Sequence, residues 1–275
     1  MKGKTQSTFL GIAVYIAAFI TILSLILIVS YILINGIPNL SLDLFAFKYN
    51  SQNVSLFPAL INTITITALS LAIAVPFGIF SAIYLTEYAK RGNRLVGIVR
   101  MTTETLSGIP SIVYGLFGYL LFVSYLKWGY SILAGAFTLS IMILPVIMRT
   151  TEEALLSVPD SFREGSFGLG AGKLRTVFKV VLPSAIPGII SGVILATGRI
   201  VGETAALIYT AGSVAQIPND LMGSGRTLST HMYVLWTEGI NSKQSYATAV
   251  VLLIIVVGLN ALSSFVAKKI QKGKN

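Results

Sequence analysis

The chain has no cysteine and only one histidine among its 275 residues. The absence of thiols excludes disulfides and thiolate metal sites. The single histidine, His231, has no histidine or cysteine neighbour in the sequence with which it could share a metal ion. We therefore expect no metal site, and we expect His231 to have a packing or surface role in an outer loop.

Charged residues are also scarce, because 11% of the chain is charged whereas 54% is hydrophobic. The apolar residues fall in blocks that suit a hydrocarbon core of ~30 Å, which takes about 20 helical residues to cross. Backbone groups in lipid must bond internally, so the blocks predict helices. We predict an all-α polytopic membrane protein, one transmembrane domain over residues 1–275, with six spans: Phe9–Ile34, Leu60–Leu85, Val96–Leu126, Ile132–Met148, Ile186–Ala211 and Tyr246–Val266.

The basic residues are distributed unevenly over this six-span arrangement. Fifteen of the 20 lie on one side of the membrane, 4 lie on the other, and Arg199 lies within a span. Loops rich in Lys and Arg stay in the cytoplasm, so we expect both termini to be cytoplasmic. The first apolar run is too long for the core of a signal peptide, which favours an uncleaved first span.

The third span is interrupted at Ser107-Gly108-Ile109-Pro110-Ser111. Proline removes a backbone donor and clashes with the preceding turn, so the helix should kink or break there. A half-helix starting near Pro110 would point unpaired amides and a positive dipole end into the interior, which suits an anion. Ser107, Gly108, Pro110 and Ser111 would then line a substrate pathway. An ordinary proline kink is the alternative.

Two charged residues, Arg199 and Glu203, lie inside the fifth span, where charge is costly and usually functional. Their spacing would place both side chains on one face of a continuous helix. One interpretation is an internal ion pair that holds the bundle together. The other is a pathway in which the planar guanidinium of Arg199 binds a tetrahedral oxyanion while Glu203 orients or balances it. Glu104 either joins this network or reaches back to the cytoplasmic interface.

A polar insert at about residues 149–185 separates the fourth and fifth spans and must lie in water beside the membrane. We predict two short amphipathic helices within it. Asp160 or Ser161 caps the first, over Phe162–Leu169. Gly170 and Gly172 supply a turn, and the second helix, Leu174–Leu182, ends at Pro183.

Part of this insert, residues 168–173, superficially matches a nucleotide-binding loop. However, Leu174 replaces the Ser or Thr that contacts magnesium in such loops, and Phe167 replaces their first glycine. We therefore do not expect the chain to hydrolyse ATP by that route.

The insert resembles the cytoplasmic EAA loop of ABC importer permeases. The matching residues are Glu164, Gly165, Ser166, Gly170, Val180, Leu182 and Pro183, at the spacing of the family pattern Glu-Ala-Ala, Gly, Ile-x-Leu-Pro. Gly165, Ser166 and Val180 depart from that pattern by small or conservative changes. The resemblance implies a type I importer permease fold in a bacterial or archaeal inner membrane. It also implies that the loop is a coupling helix docking on a cytoplasmic ATPase.

Residues 82–88, 108–118, 149–155 and 198–205 are similar to the PstA family of phosphate permeases, and the similarity covers nearly the whole chain. Residues 150–155 and the short amino terminus favour this family over the related PstC permeases. The resemblance implies a PstC-like partner permease, two PstB-like ATPase subunits that hold ATP and Mg, and an external PstS-like phosphate-binding protein. It implies a non-catalytic subunit without a cofactor, in which Arg199 and Glu203 take part in phosphate passage.

Three alternatives to phosphate import remain open at this point. An ABC permease for sulfate, molybdate or phosphonate would share the same motifs. A secondary transporter or channel would need no ATPase, and the coupling-loop spacing counts against it. An intramembrane enzyme lacks support, because the spans contain no Ser/His, paired-Asp or His/Glu metal constellation.

Overall fold

The computed structural model describes residues 2–90, 92–239 and 241–272, and within those ranges every regular element is helical. Wider π-helical turns extend three of the helices, at Tyr84–Tyr88, Tyr119–Tyr125 and Val177–Val181. The helices are α1 (Lys2–Gly36), α2 (Phe57–Ile83), α3 (Arg94–Ser107), α4 (Ser111–Gly118), α5 (Ile132–Leu156), α6 (Asp160–Gly168), α7 (Lys173–Thr176), α8 (Leu182–Val201), α9 (Ala205–Thr210), α10 (Leu228–Glu238) and α11 (Ser242–Lys272).

Five continuous helical segments of the described chain are long and apolar enough to cross a membrane. A sixth span results if α3 and the segment from Ser111 to Tyr125 are counted together, although the two are bent by 102° at the break between them. With that bent pair counted as one, the number of predicted spans agrees with the described chain, but the fifth ends at Val201, short of the predicted Ala211. The fourth is longer than predicted, since α5 continues to Leu156.

The centre of the bundle is α5, which packs against α2 on one side and α8 on the other. Two thirds of its apolar stretch is buried, because this helix carries apolar residues around its circumference. Hydroxyl groups add bonds between helices: Ser70 Oγ donates to the Ala136 carbonyl (3.1 Å), and Ser140 Oγ donates to the Ser70 carbonyl (3.2 Å). Such bonds suit a helix pair from which water is absent.

Small residues allow α8 to approach α5 closely. A side chain at Gly188 would meet Ala154, and a side chain at Gly192 would meet Thr150. At Gly198 an added side chain would enter open space. Gly188 and Gly192 therefore serve packing within the chain, whereas Gly198 does not.

The helix α1 stands apart from this core. From Leu10 onward none of its described residues is buried except Gly36, which lies close against the backbone of Tyr246 in α11. The side chains of residues 2–9 are outside the described part of the chain. Most of the apolar surface of α1 therefore faces outward from this chain.

The predicted end of the second insert helix at Pro183 is wrong. The helical path runs without interruption from Lys173 to Val201, through α7, the wide turn Val177–Val181 and α8. In that turn the Leu182 amide donates to the Val177 carbonyl, five residues back. The wider turn directly before Pro183 relieves the crowding that a proline ring causes in a regular helix.

Candidate functional site

The predicted shared face of Arg199 and Glu203 is wrong, because α8 ends at Val201 and Glu203 lies beyond its last turn. The described residues contain no ion pair that involves either of them. The internal ion-pair interpretation therefore fails. Arg199 lies in the last turn of α8, where the negative end of the helix dipole favours a cation.

Glu203 instead organises the break between α8 and α9. Its carboxylate Oε1 accepts a hydrogen bond from the Ala206 amide (3.1 Å), which caps the first turn of α9. Its backbone carbonyl accepts a hydrogen bond from the Ser229 hydroxyl, in the first turn of α10. The side chain is buried. Glu203 thus joins three helices at the end of the bundle opposite the insert.

The third span breaks rather than kinks. α3 ends at Ser107, Pro110 precedes the half-helix α4, and the 102° bend separates the two. Tyr114, one turn into α4, donates a hydrogen bond from its hydroxyl across the break to the Leu106 carbonyl (2.8 Å). The half-helix alternative is therefore confirmed as geometry, while the pathway role of Ser107, Gly108, Pro110 and Ser111 stays a prediction.

The two breaks lie close together in the fold. Arg199 lies in the last turn of α8, directly before the break that separates α8 from α9. The half-helix α4 lies directly against α9, since a side chain at Gly115 would meet the backbone of Ala205 and Ala206. The structure therefore brings the candidate residues of the third and fifth spans into one region, which hydropathy alone does not show.

Among the described residues Glu104 forms no ion pair that would join it to this region. It is exposed and lines a cavity of about 230 Å³ at the insert end, between α3 and α5. Two ion pairs border the cavity, Arg100–Glu152 (2.5 Å) and Arg149–Glu153 (3.0 Å). Of the two alternatives for Glu104, the structure supports the one in which its side chain reaches the end of the span.

The predicted coupling residues form the exposed helix α6 and the turn that follows it. Glu164, Gly165 and Gly170 are exposed, and Gly170 has φ +81°, a left-handed conformation that favours glycine. Ser166 faces the bundle, where its hydroxyl and that of Thr176 lie 2.8 Å apart. Leu182 and Pro183 lie within the continuous helix and not at its end. The predicted turn at Gly170 is confirmed, whereas docking of this segment on an ATPase stays a prediction.

Large apolar side chains cover the surface of the insert that faces away from the bundle. Such residues are costly to leave in water and commonly mark a protein interface. Phe162, Phe167, Leu169 and Leu174 are each exposed by more than two fifths. This surface is the part of the insert available to a soluble partner.

Arg163, which our motif analysis did not single out, is the most extensively bonded side chain of the insert. Its Nη2 lies 2.7 Å from Glu87 Oε1, and the same guanidinium donates to the carbonyls of Leu155 (3.0 Å) and Val158 (2.8 Å). We call these four residues the Arg163 tie. Hydrogen bonding to Glu87 raises the pKa of Arg163. The available sequence signal was position, since Arg163 directly precedes Glu164 of the coupling motif.

A second unpredicted group lies at the opposite end of the bundle and consists of Tyr49, Arg226 and His231, the Arg226 cluster. The Arg226 guanidinium lies 5.0 Å from the centre of the Tyr49 ring, and it is only 4% exposed. Its Nε and Nη2 have no hydrogen-bond acceptor among the described residues. Burial lowers the pKa of Arg226. The available sequence signal was the rarity of basic residues in the predicted outer loops.

His231 is fully buried in α10, so the packing role predicted for it is confirmed and the surface alternative is wrong. Its ring meets Tyr49 edge-on, with the ring centres 6.2 Å apart. Burial, together with the positive charge of Arg226, lowers the pKa of His231 to about 3. In the described part of the chain no three His, Asp or Glu side chains are placed to hold a metal ion.

Comparisons with known proteins identify the relatives of this chain. A family model described as binding-protein-dependent transport system inner membrane component matches residues 74–274. The "Probable ABC transporter permease protein YqgI" of Bacillus subtilis is 36% identical over 261 residues, covering 88% of each chain. The "Phosphate transport system permease protein PstA" of Pasteurella multocida is 36% identical over 262 residues, covering 86% of this chain and 91% of the relative.

Solved structures resemble the fold at lower identity. The inward-facing MetNI methionine ABC transporter contains a chain that matches with a TM-score of 0.60 and 22% identity, covering 78% of this chain and 94% of its own. A bacterial alginate ABC transporter contains a chain that matches with a TM-score of 0.59 and 18% identity, covering 82% of this chain and 86% of its own. At these identities the likeness shows the fold alone.

Proposed function

The chain belongs to the family of binding-protein-dependent transport system inner membrane components, and from that premise we propose that it is a permease subunit of an ATP-driven phosphate importer. The family and its fold, that of type I ABC importer permeases, are shown by the relatives and solved structures. Phosphate as the substrate is the proposed step. It is supported by relatives named phosphate permeases, which are 34–38% identical to this chain.

The observation that carries the substrate proposal is the setting of Arg199. It lies in the last turn of α8, directly before the break that leads to α9, and the half-helix α4 of the third span packs against α9. Its guanidinium has no carboxylate partner in the described part of the chain. An unpaired guanidinium within a membrane is costly, and its planar array of donors matches a tetrahedral oxyanion. In this proposal Arg199 binds the anion briefly as it passes, while Glu203 holds the end of α8 in position by capping α9. Ser107, Gly108, Pro110 and Ser111 line the same pathway, and Glu104 lies toward its inner end.

An importer permease works with a second permease, an ATPase and a binding protein. For this chain we propose PstC-like, PstB-like and PstS-like partners respectively, with two ATPase subunits that hold ATP and Mg. The permease itself then needs no cofactor and catalyses no reaction. The basic residues of the insert and of both chain ends support a cytoplasmic location for these parts.

Coupling follows from the exposed insert. Glu164, Gly165, Ser166 and Gly170 belong to the segment that docks on the ATPase, and Leu182 with Pro183 lies within the long helix that leads into the membrane. ATP-driven closure of the ATPase dimer moves α6, and the helices then alternate between outward-open and inward-open states.

The test is uptake into proteoliposomes that contain this chain with its candidate permease, ATPase and binding-protein partners. Labelled phosphate, sulfate and molybdate are compared with and without ATP. We expect uptake that depends on ATP and selects phosphate. Uptake of another oxyanion would refute the phosphate proposal and keep the ATP-driven permease. Flux that needs no ATP would refute the coupling role of the insert.

In the same assay Arg199→Ala is expected to abolish phosphate uptake while the complex still assembles. Lys243→Ala, which removes an exposed positive charge at the opposite end from the insert, is the matched control and should transport normally. Loss of assembly in Arg199→Ala would instead assign Arg199 a structural role.

A further inference from the structure

The Arg163 tie joins three separate elements at one guanidinium. Glu87 lies in the wide turn at the end of α2, Leu155 and Val158 lie at the end of α5, and Arg163 itself lies in α6. All three guanidinium nitrogens donate: Nε and Nη2 to Glu87, Nη1 to Val158, and Nη2 also to Leu155. Leu155 lies in the last turn of α5 and Val158 lies two residues beyond it, where helix carbonyls lack regular intrahelical partners. The Leu155 carbonyl also accepts a bond from the Val158 amide (3.3 Å), so Arg163 adds a second bond there and closes the ion pair with Glu87.

The tie is shielded from water. The side chains of Arg163 and Glu87 are 15% and 8% exposed, whereas the other ion pair of this arginine, to Asp160, involves a carboxylate that is 72% exposed. Ion pairs on the surface hold two elements together weakly. A buried guanidinium that makes several charge-assisted bonds restricts their relative position much more strongly.

The two faces of α6 therefore have different contacts. Arg163 and Ser166, three residues apart, face the bundle, and Ser166 contacts Thr176 at the start of the helix that leads to α8. Phe162 and Phe167 are exposed on the outer surface. A second contact reaches the same end of α2, because the Lys173 ammonium lies 5.1 Å from the centre of the Tyr88 ring.

We propose that Arg163 is the positioning residue that transmits movement of the coupling helix to the membrane helices α2 and α5. Glu87 is the receiving residue on α2. In this arrangement α6 and the ends of α2 and α5 move as one rigid unit when the ATPase pulls on the outer surface of α6. The inference rests on the proposed function, since it assumes that α6 docks on an ATPase.

The first experiment separates coupling from assembly in the reconstituted importer. Arg163→Gln and Glu87→Gln each remove one charge of the buried pair while keeping a polar side chain of similar size. We expect ATP hydrolysis to persist and phosphate uptake per ATP hydrolysed to fall at least ten-fold. Arg163→Lys keeps the charge, but a lysine cannot reach all three partners at once. Its phosphate uptake per ATP hydrolysed should therefore be intermediate between that of these variants and that of the wild type.

The matched control is Arg94→Gln, the same substitution at an exposed arginine that makes no ion pair among the described residues. Its uptake per ATP should equal that of the wild type. Normal uptake per ATP in Arg163→Gln would overturn the inference. So would a parallel loss of assembly and hydrolysis with an unchanged ratio, since that pattern marks a residue needed only for folding.

A distance measurement tests the rigid unit without relying on the substrate. The chain has no cysteine, so Lys90→Cys and Ser161→Cys allow two spin labels, beyond the end of α2 and on α6. In the wild-type complex the mean distance between the labels should be the same in the nucleotide-free and vanadate-trapped states. In Arg163→Gln the distribution of distances between the labels should broaden. A shift of more than about one helical turn, 5.4 Å, in the wild type would overturn the inference. If phosphate uptake fails while this distance behaves as expected, the substrate proposal fails and the inference stands.

Discussion

Two arginines at opposite ends of the bundle, Arg163 largely shielded from water and Arg226 fully buried, have very different surroundings. Arg163 donates to a carboxylate and two helix-end carbonyls through all three nitrogens. Arg226 is more deeply buried, yet its Nε and Nη2 have no hydrogen-bond acceptor in the described part of the chain, and its guanidinium lies over the ring of Tyr49. The guanidinium of Arg163, at the insert end, is thus fully hydrogen-bonded. That of Arg226, at the other end, is only partly hydrogen-bonded.

This difference bears on what each region contributes to stability. A buried guanidinium with complete bonding offsets the free energy lost when it leaves water, whereas one with unpaired donors does not. The Arg163 tie therefore stabilises the arrangement of α2, α5 and α6. The Arg226 cluster offsets that loss only in part, through the contact of the guanidinium with the Tyr49 ring.

The largest expected difference comes from making the same substitution at both arginines. Arg163→Met strands the buried Glu87 carboxylate and should lower stability by about 3 kcal/mol or more. For a chain of this size, 3 kcal/mol corresponds to a thermal midpoint roughly 6–12 °C lower. Arg226→Met removes a poorly bonded charge and should change stability by less than about 1 kcal/mol, in either direction. The measurement is thermal unfolding of the purified complex in detergent.

Each variant serves as the control for the other, because both exchange a buried arginine for an apolar side chain of similar length. Equal losses at the two sites would contradict the comparison. A larger loss at Arg226 would reverse it and would show that the contact with Tyr49 outweighs the unpaired nitrogens.

The second prediction concerns pH and the Arg226 cluster. The pKa of His231 is about 3 in the folded chain and 6.5 for an exposed histidine. Below pH 6.5 the unfolded chain binds a proton that the folded chain does not, so folding weakens as pH falls. The expected loss is about 1.4 kcal/mol per pH unit between pH 6.5 and 3, and above pH 6.5 this contribution is fully present.

His231→Gln isolates the contribution of His231 to this pH dependence. Glutamine does not titrate, whereas every other titratable group is the same in the variant and the wild type. Thermal midpoints measured from pH 7 to pH 4.5 should fall more steeply for the wild type than for the variant. Identical slopes would mean that His231 titrates near its usual pKa and that the cluster is open to water.

The smallest expected effect is a local one, at the turn that follows α6 in the insert. Gly170 has φ +81°, so an added side chain there should cost about 1–2 kcal/mol of backbone strain. Gly170→Ala should therefore increase hydrogen exchange in α6 by roughly 5- to 30-fold, the factor that corresponds to 1–2 kcal/mol.

The control is Gly172→Ala, two residues away, where φ is −73° and an added side chain would also meet nothing within 4 Å. It should leave exchange in α6 unchanged. If Gly172→Ala had the same effect as Gly170→Ala, flexibility of the turn rather than the conformation of Gly170 would control α6.

Several features of the fold were predictable because they depend on local chemistry. The apolar blocks predicted the spans, since about 20 helical residues must cross the hydrocarbon core whatever surrounds them. The proline at position 110 predicted an interruption, and Gly170 predicted a turn. Both are backbone effects that a single residue exerts on its own chain.

The failed expectations all assumed that a helix continues or ends as its local sequence favours. Arg199 and Glu203 were expected on one face, yet α8 ends between them because Glu203 caps α9 and accepts a bond from Ser229. Pro183 was expected to end a helix, yet the wide turn before it accommodates the ring. In both cases the deciding feature was a contact or hydrogen-bond register that propensity does not include.

The sequence by itself determined the class of this protein, the number and order of its spans, the polar insert with its coupling motif, and the uneven placement of basic residues. These follow from hydropathy, chain length and spacing along the chain. The tertiary structure alone decided which arginines are bonded and which are not. Glu87 and Arg163 lie 76 residues apart and meet at 2.7 Å. Whether a buried charge finds a partner depends on such distant approaches, and no local pattern in the sequence specifies them.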